Sequence, residues 1–147
     1  MIRQTRTDWT ANRTLALILG IVFVILGVVG FFTPQENSTG VQALFGIFDV
    51  DTVQNVFHLI TGLIGLAAAF TGQSINFNRV FGVVYTLIGL LGLIPALYFP
   101  TYGTDSGRFL GLTHLSIGDH ILNIVLGVIA LAIAFYADRA MRRPAAL

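Results

Sequence analysis

Residues 14–32 read TLALILGIVFVILGVVGFF, a run with no charged side chain and no alternation of apolar and polar positions. An α-helix rises 1.5 Å per residue, so about 20 such residues cross the hydrocarbon of a bilayer. A transmembrane β-strand would instead show about ten residues of alternating character. The run therefore reads as a membrane helix. Three more uncharged stretches of similar length follow, at 53–70, 80–99 and 120–136. The expectation is an all-α membrane protein with four transmembrane helices in a single membrane domain over residues 1–147.

Composition points the same way. The chain is 55% hydrophobic and only 10% charged, with a mean hydropathy of +0.82. So few charges could not cover the surface of a soluble domain, which makes the lipid bilayer its solvent and expected partner. A net charge of +1 excludes a nucleic-acid surface. The absence of cysteine excludes disulfides, thiolate catalysis and thiolate metal sites. All eight basic residues are arginine, as expected from a GC-rich bacterial genome.

The arginines give a direction. Arg3, Arg6 and Arg13 precede the first span, Arg79 lies between the second and third, and Arg139, Arg142 and Arg143 follow the fourth. The two longer connections carry Glu36, Asp49, Asp51, Asp105 and Asp119, with Arg108 as their only base. The positive-inside rule then places both termini and the middle connection in the cytoplasm, and the two long loops outside. The arginine-rich start could also belong to a secretory signal, but Gly30-Phe31-Phe32-Thr33 is a poor cleavage site.

The two halves resemble each other. Ala16, Gly20, Phe23, Gly27 and Gly30 recur 62 residues later as Asn78, Gly82, Tyr85, Gly89 and Gly92. Asn55, His58, Gly62, Gly65 and Ala69 recur 65 residues later as His120, Asn123, Gly127, Ala130 and Ala134, and Gly46 aligns with Gly111. Steps of three and four keep each set on one helical face. Small residues there let another backbone approach closely, the main source of packing energy in lipid. Gly20, Gly27, Gly62, Gly65, Gly82, Gly89 and Gly127 are accordingly expected at helix–helix contacts. A repeat of two spans returns to its starting side, so the predicted bundle consists of two parallel hairpins about a pseudo-two-fold axis along the membrane normal.

Leu44-Phe45-Gly46-Ile47-Phe48, Asn55-Val56-Phe57-His58-Leu59, Gly62-Leu63-Ile64-Gly65-Leu66 and Asp119-His120-Ile121-Leu122-Asn123 with Gly127 resemble a family of small four-span bacterial membrane proteins. That family is known only as a domain of unknown function. The resemblance implies the inner membrane and no particular reaction.

Chemistry has few candidates. Asn55, His58, His120 and Asn123 are predicted to form a polar cluster in the outer third of the bundle, with Thr61 and Asp119 nearby, and His58 is expected within reach of Asn123. Hydrogen bonds across helices, on the order of 0.6 kcal/mol each, would hold the hairpins in register. The competing use of the histidines is to ligate a haem or a metal ion. A three-residue stagger, about 4.5 Å along the axis, argues against that use. A small transporter is the third reading, weakened because no Asp or Glu lies within the four spans. No nucleophile sits beside a base, so the protein is expected not to be an enzyme. A structural or stress-related accessory role without cofactor or metal is the favoured reading, and a homo-oligomer is left open. His114 is expected to be a solvated loop residue, and Pro95 and Pro100 to end or kink the third span. Trp9, Tyr98, Tyr102 and Tyr136 are expected at the membrane boundaries, and residues 41–48 and 110–112 on the outer interface.

Overall fold

The computed structural model describes residues 9–33, 42–44, 47–99 and 107–142. Four helices carry the fold: α1 (Ala11–Phe32), α2 (Thr52–Thr71), α3 (Ser74–Leu91) and α4 (Ile117–Arg142). Each is long and apolar enough to cross a membrane. Two short antiparallel pairs fill the connections. β1 (Gln42–Leu44) pairs with β2 (Phe48–Val50), and β3 (Tyr98–Phe99) pairs with β4 (Arg108–Phe109).

Local chemistry sets the helix ends. Thr10 caps α1, its side chain accepting from the Arg13 amide, and Asp51 caps α2 by accepting from Gln54 N at 2.9 Å. Gly72 ends α2 in the left-handed region at φ 79°, where a side chain would be strained. The chain then turns directly into α3, with Ser74 Oγ donating to Ala68 O. At the start of α4, Ser116 and Asp119 form a capping box: each side chain accepts from the other's amide, at 2.8 Å and 3.4 Å.

The third span differs from its expected limits of 80–99. It begins earlier and stops at Leu91, and residues 95–97 form a 3-10 turn that leads into β3. Pro95 is the reason. A residue before proline is pushed out of helical geometry, and Ile94 adopts φ −97°, ψ 107°. The apolar residues that follow fold back over the end of the bundle instead of lengthening the helix.

Within each hairpin the helices run antiparallel at backbone contact. A methyl group on Gly20 would sit 2.7 Å from Leu66 N, and one on Gly27 would sit 2.8 Å from Leu59 N. From the other side of that contact, Gly62 lies against Val24 N and Gly20 O, and Gly65 against the Gly20 Cα and Phe77. In the second hairpin, Gly82 lies on Leu131 and Gly127 O, Gly89 on Ile124 and His120 O, and Gly127 on Thr86 N. α1 packs mainly on α2, and α3 on α4.

Between the hairpins the contact is thinner. Leu19, Phe23, Phe81, Tyr85 and Ala130 form the core there. Phe23 is its centre, meeting Phe81, Tyr85 and His58 edge-on at centroid distances of 5.4, 5.2 and 5.0 Å. Outward-facing residues such as Ile18, Ile25, Leu63 and Val83 are exposed, as a lipid-facing belt requires. Gly46, Pro100, Tyr102 and the acidic residues Glu36 and Asp105 lie outside the described residues.

Candidate functional site

The polar groups gather at the two ends of the bundle and along the seam between the hairpins. At the end where α2 and α4 begin, hereafter the capped end, two buried carboxylates cross-link the halves. Asp51 accepts from its own helix at Gln54 N and, through Oδ2, from His114 N at 2.9 Å. The same oxygen lies 3.6 Å from Arg108 Nη1. Asp119 Oδ2 accepts from Asp49 N at 3.0 Å, from Ser116 N at 2.8 Å, and lies 2.9 Å from Ser116 Oγ. Its Oδ1 accepts from Gln54 Nε2 at 3.4 Å. Each hairpin therefore grips a backbone amide of the other. The negative charge of Asp119 also sits in the first turn of α4, where the helix dipole favours it.

The field here is acidic. Burial raises the Asp49 carboxyl above the usual carboxylate range, and Asp119 and Asp51 push it the same way, while His114 opposes them. The Tyr98 hydroxyl is likewise raised, first by burial and then by Asp119 and Asp49.

His114, expected to be solvated, is buried, with 5% of its surface exposed. The segment carrying it is drawn inward by the bond from its amide to Asp51.

The four predicted polar residues do not form one cluster. Asn55 is buried inside the first hairpin with its carboxamide seated against Gly30. His120 occupies the matching place in the second hairpin, its ring against Gly92. His120 Nε2 lies 2.8 Å from Tyr98 Oη, which donates to Gly92 O at 2.9 Å. A hydroxyl has one proton, so the pair is satisfied when Tyr98 donates to Gly92 and accepts from Nε2–H of His120. Tyr98 is thus half-buried against the bundle.

His58 and Asn123 lie elsewhere, on α2 and α4 at the seam between the hairpins. Both border the same two clefts, one of about 270 Å³ toward α1 and one of about 370 Å³ toward α3. Neither side chain is hydrogen-bonded among the described residues, so the expected His58–Asn123 bond is not made. The two histidines contact different elements, Phe23 for His58 and Tyr98 for His120. Among the described residues no three His, Asp or Glu side chains converge as metal ligands.

The opposite end holds a pair that the spans as read from sequence left out. Asn78 Nδ2 donates to Asn12 Oδ1 at 2.8 Å and lies 3.0 Å from Asn12 O, tying α3 to α1. Asn12 Nδ2 in turn reaches Ile133 O of α4 at 3.5 Å. Both asparagines are buried. They fall just outside residues 14–32 and 80–99, so a scan of the apolar runs alone passes over them. The signal was an Asn-Arg pair directly ahead of each run, Asn12-Arg13 and Asn78-Arg79. Asn78→Ala is expected to lower stability by about 1–3 kcal/mol, the cost of orphaning a buried polar partner. Asn76→Ala, which removes only a surface bond to Gln73, is the control. Equal melting temperatures for the two variants in detergent would show that the inner pair holds nothing.

Comparison with curated proteins and with solved structures gave no match. A family pattern does match, over residues 13–136, and so takes in the first candidate span from its third residue, the other three whole, both carboxylates and the seam. The chain belongs to the family described as a domain of unknown function, DUF4383.

Proposed function

We propose that this protein is a non-catalytic structural or accessory component of the bacterial inner membrane, built from two copies of one hairpin with both termini in the cytoplasm. The observation that carries this reading is the exchange of grips at the capped end. Asp49 bonds the second hairpin at Asp119, and its counterpart 65 residues on, His114, bonds the first hairpin at Asp51. The helix contacts support the same duplication. Gly20–Leu66, Gly27–Leu59, Gly30–Asn55 and Gly62–Val24 recur as Gly82–Leu131, Gly89–Ile124, Gly92–His120 and Gly127–Thr86. Every pair shifts by the two offsets read from sequence. The buried side chains of Asp51, Asp119, Asn12 and Asn78 are all spent on bonds between the hairpins, as a scaffold would use them.

Orientation rests on the arginines. The exception, Arg108, supports it, because its charge is matched by Asp51 and does not behave as a free cation. A reporter active only in the cytoplasm is expected to work when fused after Leu147 or near Gln73, and to fail near Asn37 or Asp105. A periplasmic C-terminus would overturn the orientation and the span count together. An absorption spectrum and metal analysis of the detergent-purified protein test the functional reading: a Soret band or stoichiometric metal would replace the scaffold with a histidine-held cofactor.

A further inference from the structure

Tight backbone packing inside each hairpin and looser packing between them leave the two clefts, both bordered by His58 of α2 and Asn123 of α4. The larger, about 370 Å³, lies between α2, α3 and the segment 109–115, within the usual size range of small-molecule sites. Its walls are mainly apolar and aromatic, with Phe57, Tyr85 and Phe109 among them and Gln54, Thr61 and Thr113 as polar exceptions, and among the described residues no Asp, Glu or Arg borders it. His58 and Asn123 supply hydrogen-bonding groups at the seam. Both are half-buried, and among the described residues neither forms a hydrogen bond; a polar group left facing hydrocarbon without a partner is costly.

We infer that this cleft binds a neutral amphiphile from the bilayer, whose head presents a carbonyl or hydroxyl oxygen to His58 and Asn123. Acyl tails alone would fill the apolar walls but leave both polar groups unpaired. A phospholipid is disfavoured by charge. His58 lies seven residues below Asp51, about 10 Å along α2 at 1.5 Å per residue. Ester carbonyls at that depth would bring the phosphate up against the buried carboxylates Asp51 and Asp119. An uncharged head avoids that repulsion. His58 and Asn123 together offer a donor and an acceptor, so a quinone carbonyl and a glyceride hydroxyl are both accommodated.

The two sources separate by experiment. Protein with 15N-labelled histidine in detergent micelles is titrated with a decyl-tailed benzoquinone in one arm and with dioctanoylglycerol in the other, following the His58 ring resonances. One probe is expected to shift them saturably. His58→Phe and Asn123→Leu, followed by equilibrium dialysis, should each weaken that probe at least tenfold, with melting temperatures in its absence at or above wild type. Leu112→Trp, at an exposed position bordering the cleft, should block binding while leaving the helix packing intact. A purely linear response to both probes overturns the inference. So does undiminished binding by the two seam variants. If those variants fail to fold, the Leu112 variant decides alone: binding equal to wild type overturns the site. The scaffold reading stands or falls separately, on the absorption spectrum and the topology reporters.

Discussion

Gly62→Leu is expected to unfold the first hairpin or reduce its stability by at least about 3 kcal/mol. A first side-chain carbon at Gly62 would lie 2.5 Å from Val24 N and 2.9 Å from Gly20 O. Those are backbone atoms of α1, so no rotamer change makes room and the helix itself must move. Overpacking a well-filled core already costs about 1–3 kcal/mol where flexible side chains can yield. Here the displaced element also carries Gly20 and Gly27, whose contacts with Leu66 and Leu59 open with it. Gly127→Leu should behave alike, because Thr86 and Gly82 O stand where Val24 and Gly20 O stand in the first hairpin. Leu63→Phe is the control, one position along α2 and 54% exposed on the lipid side. Thermal unfolding in detergent compares the three. A Gly62→Leu protein that melts with the control would mean that the hairpins do not rest on this contact.

Asp119→Ala carries the second large effect. The carboxylate accepts from two backbone amides, Asp49 and Ser116, and from the Gln54 side chain. Alanine removes the acceptor and leaves these donors in a region where Asp119 itself is only 5% exposed. Each orphaned buried donor costs about 1–3 kcal/mol, and loss of a helix cap about 1 kcal/mol. A total near 3–5 kcal/mol is expected, concentrated at the capped end. Hydrogen exchange at the Asp49 amide should accelerate far more than exchange in the middle of α1. Asp119→Asn keeps an acceptor oxygen and should recover part of the loss. If Asp49 exchanges at the same rate in Asp119→Ala and wild type, the cross-hairpin grip is not a stabilising contact.

The spans were legible because lipid imposes a simple requirement: about 20 uncharged residues, readable without knowing what packs on what. The glycine faces were legible for a related reason, since close approach needs small residues at fixed helical spacing. The end of the third span was only half legible. Pro95 marked a break, but residues 92–99 are as apolar as a span, and hydropathy cannot tell a continuing helix from a segment folded back onto it. The capped end was the least legible. Asp51 and Asp119 read as loop charges useful for orientation, because their partners are the amides of His114 and Asp49, and backbone amides leave no mark in a sequence. Ser116-Ile117-Gly118-Asp119 did carry a capping-box signature, which would have given Asp119 an inward role. His114 was misread for the same reason: its own N–H donates to the distant Asp51, a contact that leaves no mark in the sequence.

The thin seam has a consequence for how the chain assembles. α1 and α2 complete each other's packing surfaces through Gly20, Gly27 and Gly62, and α3 and α4 do the same through Gly82, Gly89 and Gly127. The first pair therefore has nearly all its partners before the second leaves the ribosome. Insertion can proceed two helices at a time, each pair a finished unit in the bilayer, with joining of the units as the later event. That joining step depends on few groups: the aromatic contacts of Phe23, the Asn12–Asn78 pair at one end and the two carboxylates at the other. Two separately expressed halves, cut near Gln73, should accordingly find each other in the membrane.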